Sequence, residues 1–463
     1  MNHTTQFSPS ASVTRRDFLR TSTAGIAGGA TALLAGCASK PKTTAATALS
    51  VAAAAHAAGS DILKVGMIGC GGRNTGAGAQ ALKADPGTRL VAMCDIFMDR
   101  VKNARDSIKA ELSKDGKAEQ IRVADDHCFT GFDAYQRVIE ASDVVCIANA
   151  AKFHPLHTLA AIQAGKHVFV EKPHGIDPYG MKTLQRAIDL AKEKRLSIVS
   201  GLHSRYHPGY AETVQRIHDG AIGDIISIEE NFLRAPYGVT ERKPGLSELE
   251  WQCSTQYHFT WLSGDDVPQS LVHNMDRARW ALKEAAPLKC HGLGGRSTMT
   301  EPVYGNVFDH HSVIYEFPNG VRVYAFCRTT TGCYDEDSSL ILGSKGMANV
   351  KACRITGATN WRWKAAEGAL TDPYQIEHNK LFASIRSGQP INNGDYMVRS
   401  TLTTIMGQLS CYTGKEVTWE QAMASDFFYP PKPEDCHDGM QPPVKPGPDG
   451  SYPVYVPGRT RLL

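Results

Sequence analysis

The stretch Val65–Leu82, VGMIGCGGRNTGAGAQAL, constrains the fold more than any other part of the chain. The apolar run ILKVGMIG reads as a buried strand and enters a glycine cluster at once. A helix-like stretch follows, and a second apolar run, RLVAMCD, ends in Asp95. Strand, tight turn, helix, strand and acid in that order make the opening unit of a dinucleotide-binding fold. Gly69 permits the turn, and Gly71 lets the main chain approach a pyrophosphate. Gly72, Arg73 and Asn74 then open a helix whose free N–H groups face the negative charge. Asp95 is suited to accept hydrogen bonds from the adenosine ribose hydroxyls. No Arg or Lys follows it directly, so a 2′-phosphate would meet repulsion and NAD is favoured over NADP. Asn74 stands where the third glycine of G-x-G-x-x-G falls. That glycine normally lets helix and strand pack closely, so Gly72 and Gly76 are expected to supply the room.

Three further apolar runs, DVVCIAN (143–149), HVFVEKP (167–173) and LSIVSG (196–201), are of the buried parallel kind, each after a helix-like segment. Sheets of this kind bind ligands beyond the carboxyl ends of their strands, which puts Asn149, Glu171 and Lys172 beside the cofactor. Beyond residue 202 the runs IISIEENFL, SVIYEF, VRVYAFCR and SSLILGS alternate as strands do, and Pro318-Asn319-Gly320 signals a hairpin. PYQIEHNKLFASIRSG and YMVRSTLTTIMGQLSCYTG read as amphipathic helices returning to the first domain. The last stretch holds nine prolines and reads as an extended arm over residues 426–463, packed on the surface or on a neighbouring subunit.

The block HPLHTLAAIQAGKHVFVEKPHG resembles the H…A-G-K-H-V-x-x-E-K-P block of the Gfo/Idh/MocA oxidoreductases, with His154 eleven residues before Gly165. SRYHPGYAETVQRIHDGAIGDI and HNMDRARWAL resemble further segments of that family, and the likeness covers roughly residues 62–415. It implies an α/β chain with a Rossmann domain at 61–202. A second, α+β domain at 203–425 would carry a large, mainly antiparallel open sheet that faces the nicotinamide and often forms an oligomer interface. A homo-oligomer, dimer or tetramer, is therefore expected. The resemblance places Lys172 near the nicotinamide and the reacting hydroxyl, with His154 and Glu171 at the cofactor. It makes His273 the acid/base, a task that imidazole suits near neutral pH. It puts Arg205 near the domain junction and gives Asp276 an orienting role. Many members have an aspartate where this chain has Gln269, which cannot act as a base; Asp265 or Asp266 would have to compensate. Tyr206, Tyr257 and His258 are of the types that hold sugars.

Composition narrows the partners. The chain is 42% hydrophobic and 21% charged, with net charge +3 and no basic block, which argues against nucleic acid. The twelve cysteines form no C-x-x-C, and neither His203/His207 nor His310/His311 has a carboxylate completing a ligand set, so no metal is expected. Residues 1–37 resemble a Tat export signal, with the pair Arg15–Arg16 and a lipobox that would make Cys37 the lipidated N-terminus. Residues 38–60 are a low-complexity tether. Membrane contact is expected only through that lipid, and the location is periplasmic or cell-envelope. Outside the cytosol there is no soluble NAD pool to draw on. The expected function is therefore an exported NAD(P)-dependent oxidoreductase acting on a sugar hydroxyl with a bound, internally regenerated cofactor. Two alternatives stay open: a redox-neutral NAD-dependent glycosidase, or a non-catalytic sugar-binding protein.

Overall fold

A computed structural model describes residues 62–239 and 241–462. The Arg15–Arg16 pair, Cys37 and the 38–60 tether lie outside the described residues.

The first sheet contains β1 (Leu63–Ile68), β2 (Thr88–Asp95), β3 (Cys128–Thr130), β4 (Val144–Ile147), β5 (His167–Val170) and β6 (Ile198–Ser200). Its order is β3-β2-β1-β4-β5-β6, and every pair is parallel. Successive side chains leave a strand on opposite faces. Val65 and Met67 therefore enter one core with helices Gly72–Ala84 and Met98–Ser113, while Ile68 enters the other with Ile147 and Val170. Both faces are covered, which is why these strands read as continuous apolar runs rather than alternating ones.

The room for the first helix does not come from Gly72 or Gly76. A Cβ on Gly72 would meet nothing within 4 Å, and one on Gly76 only the Arg73 guanidinium at 3.6 Å. The close approach is at Gly78, where a Cβ would lie 2.6 Å from the Met67 sulfur. Asn74 is fully buried and compensates for the missing third glycine by bonding. Its Nδ2 donates to the carbonyls of Ile68 (3.0 Å), Gly69 (2.7 Å) and Cys146 (3.2 Å), tying the ends of β1 and β4 together.

The second sheet has nine strands: β7 (Ile225–Arg234), β8 (Lys289–Gly295), β9 (His310–Glu316), β10 (Arg322–Thr329), β11 (Glu336–Gly343), β12 (Gly346–Asn349), β13 (Arg354–Gly357), β14 (Trp361–Arg362) and β15 (Val417–Thr418). The order is β14-β13-β12-β11-β7-β10-β9-β8-β15, antiparallel except for the β7–β10 pair. The Pro318–Gly320 turn joins β9 to β10, with Asn319 and Gly320 both at positive φ as an Asn-Gly hairpin requires.

Helix Gly394–Thr413 departs from the amphipathic reading, since every residue from Ser400 to Thr413 is buried. Its hydroxyls are satisfied inside: Thr403 donates to the Arg399 carbonyl, Thr413 to that of Leu409, and Ser400 to Asp276. Thr and Ser looked like a polar face in the sequence because a hydroxyl bonded to its own helix is compatible with burial. The C-terminal arm packs on its own chain, where Tyr429 and Tyr452 are buried in a third core with Phe259, Trp261 and Tyr412.

Candidate active site at the carboxyl edge of the parallel sheet

The turn after β1 opens a groove of about 830 Å³ that runs along the carboxyl ends of the parallel strands. Gly69, Gly71, Gly72, Arg73, Asp95 and Asn149 line it. Gly69 has φ +90°, and a Cβ there would sit 2.7 Å from the Asn149 amide nitrogen, so only glycine fits. Gly71 and Gly72 face open space. The helix beginning at Gly72 has neither an acidic residue in its first turn nor a side-chain cap, which leaves its N–H groups and positive dipole end free for an anion. Asp95 braces the turn through the Cys70 amide (2.8 Å) and still borders the groove. Asn149 Oδ1 is buried and lacks a partner. Open glycines, an uncapped helix start, an acid at the end of β2 and an orphaned amide oxygen together fit a dinucleotide. They fit NAD, because Ile96 follows the Asp95 carboxylate and Arg100, the groove's other arginine besides Arg73, already bonds the Ser254 carbonyl.

A second cavity of about 860 Å³ shares Arg73, Asn149, Gln256 and Tyr257 with the groove and continues it. Lys172, just beyond the carboxyl end of β5, reaches it, as does His273 on the first turn of helix Val272–Ala281. Gln269, in the π-turn Val267–Leu271, completes that wall. Lys172 Nζ donates to the main-chain oxygen of Gln269 at 2.8 Å. Burial holds the Lys172 ammonium below its ordinary pKa, with the Glu171 carboxylate opposing that shift. Burial also pushes His273 well below the ordinary imidazole value, and the nearby Lys172 and Arg277 cations push the same way. Its Nδ1 has no partner, so the ring is neutral at pH 7 with a nitrogen uncommitted.

Two groups here, Tyr374 and Tyr237, are not among the residues that the sequence singles out. Tyr374, in the first turn of helix Pro373–Ser387, stacks on His203 at 4.2 Å and lies under the Arg73 guanidinium at 4.6 Å. Arg73 in turn pairs with Glu171 at 2.6 Å. Tyr237 stacks on Tyr257 at 4.3 Å. A tyrosine opening a returning helix was the one readable hint, since that helix had to end near the first domain.

The structure brings Lys172, His273, Gln269, Tyr257, His154 and Glu171 together, but it leaves other anticipated residues outside the cavity. Arg205 forms a bidentate pair with fully buried Asp276 (2.8–3.2 Å) and also reaches Glu284. Tyr206 bonds Asn393, and His258 packs edge-on against Tyr304. Asp265 is bound to the Phe308 amide and Tyr412, and Asp266 to Arg234 and Ser270. Burial alone would raise the Asp266 pKa, but Arg234 holds it low. Neither aspartate substitutes at the Gln269 position. Among the described residues no cluster of His, Cys, Asp and Glu could hold a metal ion.

Comparison with known proteins agrees with this geometry. Residues 63–201 match the Gfo/Idh/MocA oxidoreductase family, NAD-binding Rossmann fold. An inositol 2-dehydrogenase of Saccharopolyspora erythraea is 26% identical over 261 residues, 56% of this chain and 65% of its own. A glycosyl hydrolase family 109 protein of Porphyromonas gingivalis is 26% identical over 175 residues, 37% of this chain and 35% of its own. The chain thus spans less than two thirds of the length of these relatives. Aldose-aldose oxidoreductase from Caulobacter crescentus shares the fold, with a TM-score of 0.59 at 16% identity, over 77% of this chain and 99% of its own. Residues 63–201 are thus a domain of the Gfo/Idh/MocA oxidoreductase type with an NAD-binding Rossmann fold.

Proposed function

We propose that the protein is an exported NAD-dependent oxidoreductase acting on a hydroxyl of a sugar or cyclitol, with a cofactor that stays bound and is regenerated in place. The observation that carries this reading is the convergence of Lys172 and His273 on a cavity continuous with the dinucleotide groove. NAD, when bound, supplies a two-electron hydride acceptor. Lys172 offers ammonium protons to the substrate oxygen and stabilises negative charge there as its proton leaves. His273, neutral and with a free ring nitrogen, accepts that proton. Tyr257 and Tyr237 present aromatic faces of the kind on which sugar C–H groups rest, and Gln256 and Gln269 add polar contacts. A second sugar entering the same cavity as a carbonyl compound would receive the proton from His273 and be reduced, so one alcohol is oxidised for each carbonyl reduced. The likenesses to an inositol dehydrogenase and an aldose-aldose oxidoreductase support a polyhydroxylated substrate.

The test is incubation of purified protein with a panel of sugars, cyclitols and glycosides without added NAD. Paired oxidised and reduced sugars are the expected products. Release of free sugar from a glycoside would instead identify the redox-neutral glycosidase, and binding without turnover would identify a non-catalytic protein.

A further inference from the structure

We propose that the C-terminal arm, residues 426–462, is the outer wall of the dinucleotide site and bolts it shut, so that NAD beneath it exchanges slowly. This deepens the bound-cofactor reading above and rests on it.

The groove has a floor and a roof. The floor is the carboxyl edge of the parallel sheet. The roof is the second-domain segment 247–262, which contributes Cys253, Gln256, Tyr257 and Leu262. A dinucleotide leaving the groove must displace that roof or pass its edge. The arm fastens the roof from outside. Gln252 Nε2 donates to the Val444 carbonyl at 2.6 Å, while Gln252 Oε1 accepts from the Trp261 indole at 2.7 Å. The Tyr452 hydroxyl donates to Glu248 at 2.5 Å, and its ring meets Phe259 edge-on at 4.9 Å.

The same arm is anchored to the floor. Lys152, buried in the loop that follows Asn149, donates from Nζ to the Tyr429 carbonyl at 2.6 Å. The Tyr429 amide donates to buried Asp177 at 3.1 Å. The Tyr179 hydroxyl donates to Glu434 at 2.5 Å. Asp438 presses on the groove itself, since a Cβ on Gly131 would lie 2.7 Å from its carboxylate oxygen. Ile96 and Phe132 line the groove on one side and, on the other, a cavity of about 790 Å³ whose far wall is Asp438–Pro442.

The third hydrophobic core is this fastening. It combines Ala151 and Phe153 from the floor, Trp251 and Phe259 from the roof, and Tyr429 and Tyr452 from the arm. The other two cores draw none of their buried members from the arm. Opening the roof therefore breaks a core and its hydrogen bonds together, which makes opening rare and cofactor release slow.

The test uses the full chain and two variants: Gln252→Ala combined with Tyr452→Phe, and a deletion of residues 437–463. Each is checked for folding by circular dichroism and thermal melting. The readouts are NAD content after dialysis and the NADH dissociation rate, followed by fluorescence during displacement with excess NAD. The variants should release NADH about ten-fold faster or more, as expected when the Gln252–Val444 and Tyr452–Glu248 bonds between arm and roof are lost, and should lose NAD on dialysis. Folded variants that release NADH at the wild-type rate would overturn the proposal. If the deletion does not fold, the double substitution carries the test alone. The ratio of release rates judges the arm. Free exchange of NADH by the wild type would overturn slow exchange and internal regeneration together, whereas slow exchange without paired sugar products would remove internal regeneration alone.

Discussion

Lys172 is held by the main-chain oxygen of residue 269 and not by its side chain. The replacement of an acid by glutamine there leaves the lysine's position intact and removes one possible base. In the proposed mechanism the proton then falls to His273, whose buried ring refuses charge. The sign follows from that depression. The neutral, proton-accepting form persists as pH falls below the ordinary imidazole value near 6.5 and is lost only at the lower folded pKa. The acid limb of kcat/KM should therefore lie below pH 6.5, and His273→Ala should abolish the limb while lowering kcat/KM by about 10²–10⁴. The same depression makes the fold less stable over that interval, because the unfolded chain binds the proton first. A limb at or above 6.5 in the wild type, measured with any verified substrate, would remove His273 as the base. Lys172 and His273, which line one cavity, could be singled out because each lies in a run of several residues that resemble the family's. Arg205 and Asp276 were read from the same resemblance, as a junction and an orienting residue, whereas Tyr206, Tyr257 and His258 were read by residue type, and type does not say whether a group faces a ligand or another side chain.

At the scale of elements, the helix Val272–Ala281 carries His273 on its first turn and Asp276 one turn on, where the chain turns it inward. Asp276 is fully buried and accepts from Arg205 and from Ser400 on helix Gly394–Thr413, so the pair clamps three segments behind the cavity. Arg205 also lies over the Tyr396 ring at 3.9 Å. Removing one partner of a buried ion pair strands the other, at a cost of about 3–5 kcal/mol. Arg205→Ala should therefore lower the unfolding free energy by about 3–5 kcal/mol, read as a lower urea midpoint at unchanged slope, with NAD affinity unchanged in the folded fraction. An unchanged midpoint with a raised KM would return Arg205 to a substrate role. Element type was legible wherever the apolar period was clean, as in β1, β2 and β7. The short strands β3, β14 and β15 were not, since two or three residues carry no period and only the sheet beside them makes them strands. Helix Gly394–Thr413 was legible as a helix, but its burial was not.

For the whole molecule, the two sheets could be read from the sequence, but the third core could not. Its members are scattered from Ala151 to Tyr452, and nothing local in a proline-rich tail says which surface it covers. That core bears on export. Among the described residues all eleven cysteines are free, and Cys94, Cys146, Cys290, Cys327 and Cys411 are buried among apolar groups. Thiols held in that way are compatible with folding in a reducing compartment. A roofed dinucleotide groove is also best filled before the chain leaves the compartment that holds NAD. Both features suit transport of the finished, loaded protein, the kind of passage that the Arg15–Arg16 pair specifies if it is a Tat signal. Arg15→Lys combined with Arg16→Lys should then leave the full-length precursor in the cytosol, folded and carrying NAD. Cys37→Ala should still be exported but appear as a soluble form in place of a membrane-associated one. Cell fractionation with cofactor extraction from each fraction reads both outcomes. Export that survives loss of both arginines would mean that the chain crosses by another route. NAD found in the cytosolic precursor but missing from the exported protein would mean that loading before passage does not secure the cofactor, and internal regeneration would lose its physical basis.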